Sequence, residues 1–239
     1  MPVNRYFIEE NLKKESYVKL EGQELHHLLH VMRASAGDCI ELVNGKGELA
    51  LARVESVAKR NATIQVEEIS FQEKPAFEVI VAQAIPRANR MDTILEKGTE
   101  LGMSQIWLFA GDLSEKKSLG NQREHRLKAV TISAMKQCGR LYLPDIVMMP
   151  PLCSWQKLTY PAFFGDIEPE APTFVRKWEE LQPSTGVIFF VGPESGLTPK
   201  EVKWLREADV HGVKLHENIL RTDTAPLVAL SLIQHWRMS

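Results

Sequence analysis

Two short stretches hold most of the residues able to do chemistry. The first is Val191-Gly-Pro-Glu-Ser-Gly-Leu197, which follows directly on the apolar run 187–191. Glycines at 192 and 196 let the backbone come close to a ligand. Thr198-Pro199-Lys200-Glu201 then adds a capping box with proline at the first helical position, so the loop ends on an exposed helix N-terminus. Open α/β sheets hold their ligands at the carboxyl ends of such buried strands. An ordinary strand-to-helix turn uses the same residue types, and both readings stand on these residues alone. Three familiar motifs are absent. No Lys-Ser/Thr pair follows the second glycine, which removes a phosphate-gripping P-loop. Ser195 comes one place late for the nucleophile elbow G-x-S-x-G, and G-x-G-x-x-G is missing, so a nucleotide-like ligand would be held in another way.

The second stretch is residues 215–226, again strand to loop to helix. Arg221, Thr222, Asp223 and Thr224 place a cation, a carboxylate and two hydroxyls at one helix start. Threonine and aspartate there serve equally well as helix caps. A cap does not account for Arg221, whose charge is unfavourable at the positive end of a helix dipole unless an anion or a partner carboxylate offsets it. That misfit marks a candidate site.

The elements that must position these loops fall into two rhythms. Up to Glu73-Lys74-Pro75, short apolar runs at 17–20, 39–43, 48–57 and 63–69 alternate with turn signals such as Ala36-Gly37-Asp38 and Asn44-Gly45-Lys46-Gly47, which predicts a small β-barrel with one short helix over 24–33. After the polar linker the pattern becomes βαβ: strands at 77–85, 105–109, 187–191 and 210–215, helices at 91–101, 122–138 and 199–208, and a last helix reaching Trp236. The expected domains are therefore 1–74 and 75–239. Leu227, Leu230, Ile233 and Trp236 recur at helical spacing in that last helix, as a core face or a subunit interface does.

Composition narrows the class. The chain has 239 residues, 29 Lys+Arg against 31 Asp+Glu, and 44% hydrophobic residues, enough to bury a core without staples. Cys39, Cys138 and Cys153 are widely spaced and form no C-x-x-C, which argues against a disulfide framework or a zinc knuckle. His26 and His30 stand one helical turn apart but lack a third ligand in view, so no metal is expected. No apolar run approaches the ~20 residues of a membrane span, and Ile8-Glu9-Glu10 is unlike a signal peptide, so a cytoplasmic protein is expected. Charge is uneven along the chain: residues 84–140 carry ten basic and six acidic side chains, net +4, as a polyanion-binding segment or a solvated helical face would.

Taken together, these stretches resemble the bacterial RsmE-type ribosomal RNA small-subunit methyltransferases. Val191-Gly-Pro-Glu-Ser-Gly-Leu197 and Ile219-Leu-Arg-Thr-Asp-Thr-Ala225 carry the likeness most specifically. Arg5-Tyr-Phe, the run from His26 to Arg33 with Gly37-Asp38, Glu100-Leu-Gly-Met103, and Gln137-Cys-Gly-Arg140 with Pro144 follow in the family's order. The resemblance implies an α/β fold in which a small PUA-like β-barrel precedes a SPOUT-type parallel sheet with a C-terminal trefoil knot. Chain physics alone would not propose a knot. It further implies S-adenosyl-L-methionine as cofactor, a homodimer, and methylation of N3 of one uridine in 16S rRNA of the small ribosomal subunit.

Carried over by position, Gly192, Pro193, Glu194 and Gly196 would form one wall of the donor pocket and Leu215, Ile219, Leu220 and Thr222 a second, with Phe164 and Gly165 beside Asp166 in a third. Removal of the uracil N3 proton calls for a base or a stabiliser of the developing anion. Arg221 is the candidate stabiliser and Asp223 the candidate acceptor of a hydrogen bond or proton. Arg5, Arg33, Arg87, Arg90 and Arg140 are candidate phosphate contacts, or else plain surface arginines. The chain departs from the family at Ser195, at Asp223 where a glutamate is usual, at His216-Glu217-Asn218 where Gly-x-Arg is usual, and at Lys136 in place of an acidic residue. A related SPOUT enzyme with another RNA target, and an RNA-binding assembly factor without transfer, are the competing readings.

Overall fold

The computed structural model describes residues 4–238, which divide into two compact units. The first comprises the chain up to Lys74 together with Ile132–Leu143; the second comprises Pro75–Thr131 and the chain from Pro144 onward.

The first unit is built on five strands: β1 (Arg5–Phe7), β2 (Tyr17–Leu20), β3 (Cys39–Val43), β4 (Glu48–Val57) and β5 (Ala62–Phe71), in the order β1-β3-β4-β5-β2. Alternation along β4 and β5 turns Ala50, Ala52, Val54, Ile64 and Val66 inward, all at most 1% exposed, while Leu51, Glu55 and Glu68 face water. Register shifts at Leu51/Ala52 and Val54/Ser56 bend the long β4–β5 pair. The result is a curled half-barrel, open between β1 and β2. β1 escapes notice in the sequence because three residues are too few for an alternation to register.

The helix expected over 24–33 divides in two. A short α1 (Gly22–His26) passes into one wide π-helical turn over His27–Val31, in which Met32 N–H bonds His27 C=O at 3.0 Å. The extra residue keeps Leu25 and Leu28 in the core while Leu29 and Met32 still pack against it. The segment 132–143, which the sequence rhythm assigns to the later part of the chain, packs with the first unit. Met135 and Leu141 bury against Val43, and Gly47 N–H bonds Leu141 C=O at 2.9 Å.

The second unit centres on a six-stranded, all-parallel sheet ordered β11-β9-β10-β6-β7-β8, from β6 (Glu78–Ala84), β7 (Gln105–Phe109), β8 (Asp145–Met148), β9 (Ala162–Gly165), β10 (Gly186–Val191) and β11 (Val210–Val213). Its helices are α2 (Ala88–Glu100), α3 (Asn121–Cys138, which runs on into the segment of the first unit), α4 (Phe174–Leu181), α5 (Pro199–Glu207) and α6 (Ala225–Met238). Both faces of the sheet are covered, which is why β10 reads as an unbroken apolar run. Val79, Val81, Phe163, Val187 and Phe189 pack on one side with Leu95, Trp178, Leu230 and Ile233. Ile80, Ala82, Phe164, Ile188 and Phe190 pack on the other with Trp155 and Leu205. Three positions of the α6 stripe serve the core of this chain, with Leu230 and Ile233 buried and Trp236 packed against the same cluster, while Leu227 is half-buried. No helix among the described residues is long and apolar enough to cross a membrane.

Candidate functional site

The loops after β9, β10 and β11 all leave the carboxyl edge of the sheet, and together they line one cleft of about 1210 Å³. Its walls include Phe164, Gly165, Gly192, Pro193, Glu194, Gly196, Leu215, Ile219, Leu220 and Thr222, and Arg221 with them. Residues named in the sequence from three separate stretches therefore meet at one place. The volume exceeds the ~300–1,000 Å³ usual for a small-ligand pocket, so the cleft has room for two reactants. A smaller hollow of about 390 Å³, lined by Phe77, Trp178, Trp236 and Arg237, begins where β6 and β10 enter the sheet, opposite the edge where such folds work.

Local chemistry explains the loop after β10. Gly196 sits at φ 79°, a conformation costly for any side chain. A Cβ on Gly192 would stand 3.0 Å from Leu197 Cγ and 3.1 Å from the Gly196 backbone, so the tight return needs glycine there too. The loop ends in the expected capping box. Thr198 Oγ1 accepts Glu201 N–H at 3.3 Å and Glu201 Oε2 accepts Thr198 N–H at 2.8 Å, while Glu201 Oε1 also accepts Asp112 N–H at 3.0 Å. The Glu201 carboxylate is 1% exposed and fully used in this way.

The electrostatic centre of the rim is Arg90, in the first turn of α2. Its Nη1 is ion-paired with Asp223 Oδ1, and its Nε stands 3.2 Å from Glu194 Oε1, an ion pair by distance whose N–H points elsewhere. Glu194 Oε1 also accepts Arg87 N–H at 3.0 Å, so this carboxylate sits at the positive end of α2. Arg90 thereby ties the loop after β10 to the loop before α6. Arg87 bonds Glu115 through Nε at 2.9 Å, and the two exposed partners hold each other charged, the arginine raised and the glutamate lowered from their ordinary values.

Arg221 differs from both. It is exposed, lines the cleft, and among the described residues its side chain makes no hydrogen bond or ion pair, while its carbonyl accepts Thr224 and Ala225 N–H at 2.9 Å each. The guanidinium is therefore free for an incoming anion. Asp223 faces Arg90 instead, outside the cleft lining. His216 and Asn218 form a local turn, with Asn218 N–H donating to His216 Nδ1 at 3.0 Å.

The remaining arginines named in the sequence lie in the first unit. Arg5 is 9% exposed and commits Nε and Nη2 to Glu41 at 2.8 Å, a task internal to its own sheet. Arg33 is exposed at φ 54° at the end of the π-helical turn. Arg140 is half-buried, and burial pulls its guanidinium below the ordinary value. The lysine at 136 is answered within the same unit, with Nζ 2.6 Å from Glu24 Oε1.

Sequence reasoning passed over Gln83 and Ile167. Gln83 is the penultimate residue of β6 and is 0% exposed, while Ile167 lines the cleft at 73% exposure, as Ile219 does at 81%. The signal for Gln83 was present: it is the single polar residue in the run 79–85.

The family model described as an RNA methyltransferase domain matches residues 72–234, and one described as an RNA methyltransferase PUA domain matches residues 20–67. The Ribosomal RNA small subunit methyltransferase E of Bacillus subtilis is 28% identical, across 98% of this chain and 96% of its own length. That of Synechocystis is 28% identical across 92% of this chain and 73% of its own. Among solved structures, a Ribosomal RNA small subunit methyltransferase E from Neisseria gonorrhoeae bound to S-adenosyl methionine has a TM-score of 0.87 at 28% identity, covering 99% of this chain and 98% of that one. A Legionella pneumophila methyltransferase at 22% identity, TM-score 0.87 and coverage of 99% and 98% shares the fold.

Proposed function

The chain belongs to the RNA methyltransferase family, and from that premise we infer that it transfers the methyl group of S-adenosyl-L-methionine to N3 of one uridine in the 16S rRNA of the small ribosomal subunit. The observation that carries the reading is the convergence of ten proposed donor-contacting residues and Arg221 on one cleft.

The residues fit the donor. Phe164, Leu215, Ile219 and Leu220 offer apolar walls to an adenine ring, and nothing stands within 4 Å of a Cβ built on Gly165 or Gly196, so backbone is open to a ligand there. Glu194 and Asp166 supply carboxylates near a cationic ligand. When bound, S-adenosylmethionine supplies an electrophilic methyl group.

This chain's own residues govern the acceptor. The N3 proton passes to water in the open cleft, which leaves negative charge on N3 and the flanking carbonyl oxygens of uracil, and Arg221, free and at the cleft, stabilises that charge until N3 takes the methyl group. Asp223, held by Arg90, acts as an acceptor that fixes the loop carrying Arg221. The base must leave its stack to reach the cleft, so folded RNA shape governs recognition. Arg87 and Arg33 are the phosphate contacts of choice, since both are exposed and the Arg87–Glu115 pair is of the surface kind that yields readily to a phosphate.

The same membership supports a trefoil knot through the segments after β9, β10 and β11, a homodimer, and work in the cytoplasm beside maturing ribosomal subunits. Light scattering at micromolar concentration tests the dimer, and a monomer rejects it. Calorimetric titration with S-adenosylmethionine tests the donor site: saturable binding to the wild-type chain is expected, and its absence overturns the assignment.

A further inference from the structure

We propose that Gln83 is a positioning residue whose side-chain amide holds the two donor-binding loops in register, so that donor affinity depends on a side chain that never lines the cleft. The proposal rests on the donor-site reading given above.

Gln83 stands at the carboxyl end of β6, directly opposite Val191 in the β6–β10 pair, one residue before Gly192. Its Nε2 lies 3.1 Å from Thr222 Oγ1, 3.3 Å from Gly192 C=O and 3.0 Å from Ala84 C=O. Thr222 Oγ1 in turn donates to Gly192 C=O at 2.6 Å. A closed triangle thus joins the end of β6, the first residue of the loop after β10, and the loop before α6. Two corners are shielded from water, with Gln83 0% and Thr222 7% exposed, while Gly192 is half-buried. Hydrogen bonds in such surroundings are strong and mutually polarising.

The arrangement is poor for stability taken alone. Two amide protons are offered to three acceptors, and Gln83 Oε1 is buried without a partner. A methionine or leucine of similar volume would suit the apolar strand better, since a buried polar group left unsatisfied is costly. The benefit falls on the loops: Thr222 follows Arg221 immediately, so anchoring its hydroxyl sets where the Arg221 guanidinium and the backbone from 219 to 222 stand relative to Gly192. Arg90 clamps the same two loops at the rim, through Glu194 and Asp223, and Gln83 clamps them at the floor.

The test uses the full chain carrying Gln83→Met and, separately, Thr222→Val, which removes the same hydrogen bond from its other end. Amide hydrogen exchange without ligand is expected to quicken about tenfold or more over both 192–197 and 216–224, with the amides of β10 unchanged. Calorimetry is expected to show S-adenosylmethionine binding weakened about tenfold or more in each variant, with the double variant no weaker than the worse single one, as coupled partners require. Should Gln83→Met fail to fold, the exchange rate over 192–197 in Thr222→Val decides, since Thr222 itself lines the cleft and its donor affinity also reads a direct contact. Exchange rates unchanged in both loops, or donor affinity within twofold of wild type, overturns the proposal. A wild-type chain that binds no donor overturns the function reading instead, and the exchange experiment then judges the strut by itself.

Discussion

Removing Arg90 should loosen both cleft loops at once, because one guanidinium holds a carboxylate from each. In Arg90→Met the side-chain volume is roughly kept, and Glu194 and Asp223 are left to face each other without a cation. The three side chains are between 21% and 26% exposed, between the exposed pairs worth about 0–1 kcal/mol and the buried ones whose disruption costs about 3–5 kcal/mol. The expected loss is therefore about 1–3 kcal/mol. Since 1.4 kcal/mol is a factor of ten, S-adenosylmethionine binding should weaken between about fivefold and a hundredfold. Calorimetric titration reads this directly. Arg90→Lys should recover only part of it, since a point charge cannot bridge two carboxylates as a planar fork does. Unchanged donor affinity in Arg90→Met, with weakened RNA binding, would refute the clamp and restore Arg90 to the phosphate contacts.

Arg221→Ala should change stability by no more than about 0.5 kcal/mol, because the side chain is exposed and unpartnered, yet lower the methylation rate by about a hundredfold or more. Full activity in that variant would remove Arg221 from the mechanism. In the first unit, burial together with Glu24 and Asp38 pushes the Tyr6 phenol up to about 12. The folded state then holds this proton more tightly than the unfolded chain, whose phenol titrates near 10, so the contribution is intact below about pH 10 and is lost as pH rises to about 12. Denaturant titrations across that window should show a slope that flattens in Tyr6→Phe; an identical slope contradicts the burial argument. Leu230→Ala, at 0% exposure in the core of the second unit, should cost about 2–5 kcal/mol through the cavity it leaves, read as a lowered urea midpoint. A change below 1 kcal/mol would mean that α6 is not packed as described.

Much of the sheet was legible because its physics is local. The run 187–191 is apolar throughout since both its faces are buried, Gly192 and Gly196 announce a tight return, and Thr198 to Glu201 spells a capping box that forms as written. Two strands of the second unit were not legible: β8 starts on the charged Asp145 directly after Pro144, and Pro161 directly precedes β9. α4 carries a readable pattern, with Phe174 and Trp178 four residues apart under a Thr173 cap, but no chemistry drew attention to it. The site was half legible. Arg221 stood out through its misfit at a helix start, whereas the partnership of Asp223 with Arg90, 133 residues away, depends on where the sheet brings α2. The same holds for Gln83 and Thr222, 139 residues apart, whose bond no spacing announces. The reaction and the donor came from family resemblance, since residue types alone reach only a ligand cleft beside a free cation.

The central claim is tested most directly by incubating the protein with labelled S-adenosylmethionine and unmethylated small ribosomal subunits, with free rRNA in parallel, and mapping the modified nucleotide by mass spectrometry. One 3-methyluridine in 16S rRNA, formed faster on subunits than on free RNA, is the expected result. Methyl transfer to a different atom or a different RNA would contradict the assignment of the target, and donor binding without any transfer would contradict the assignment of the reaction.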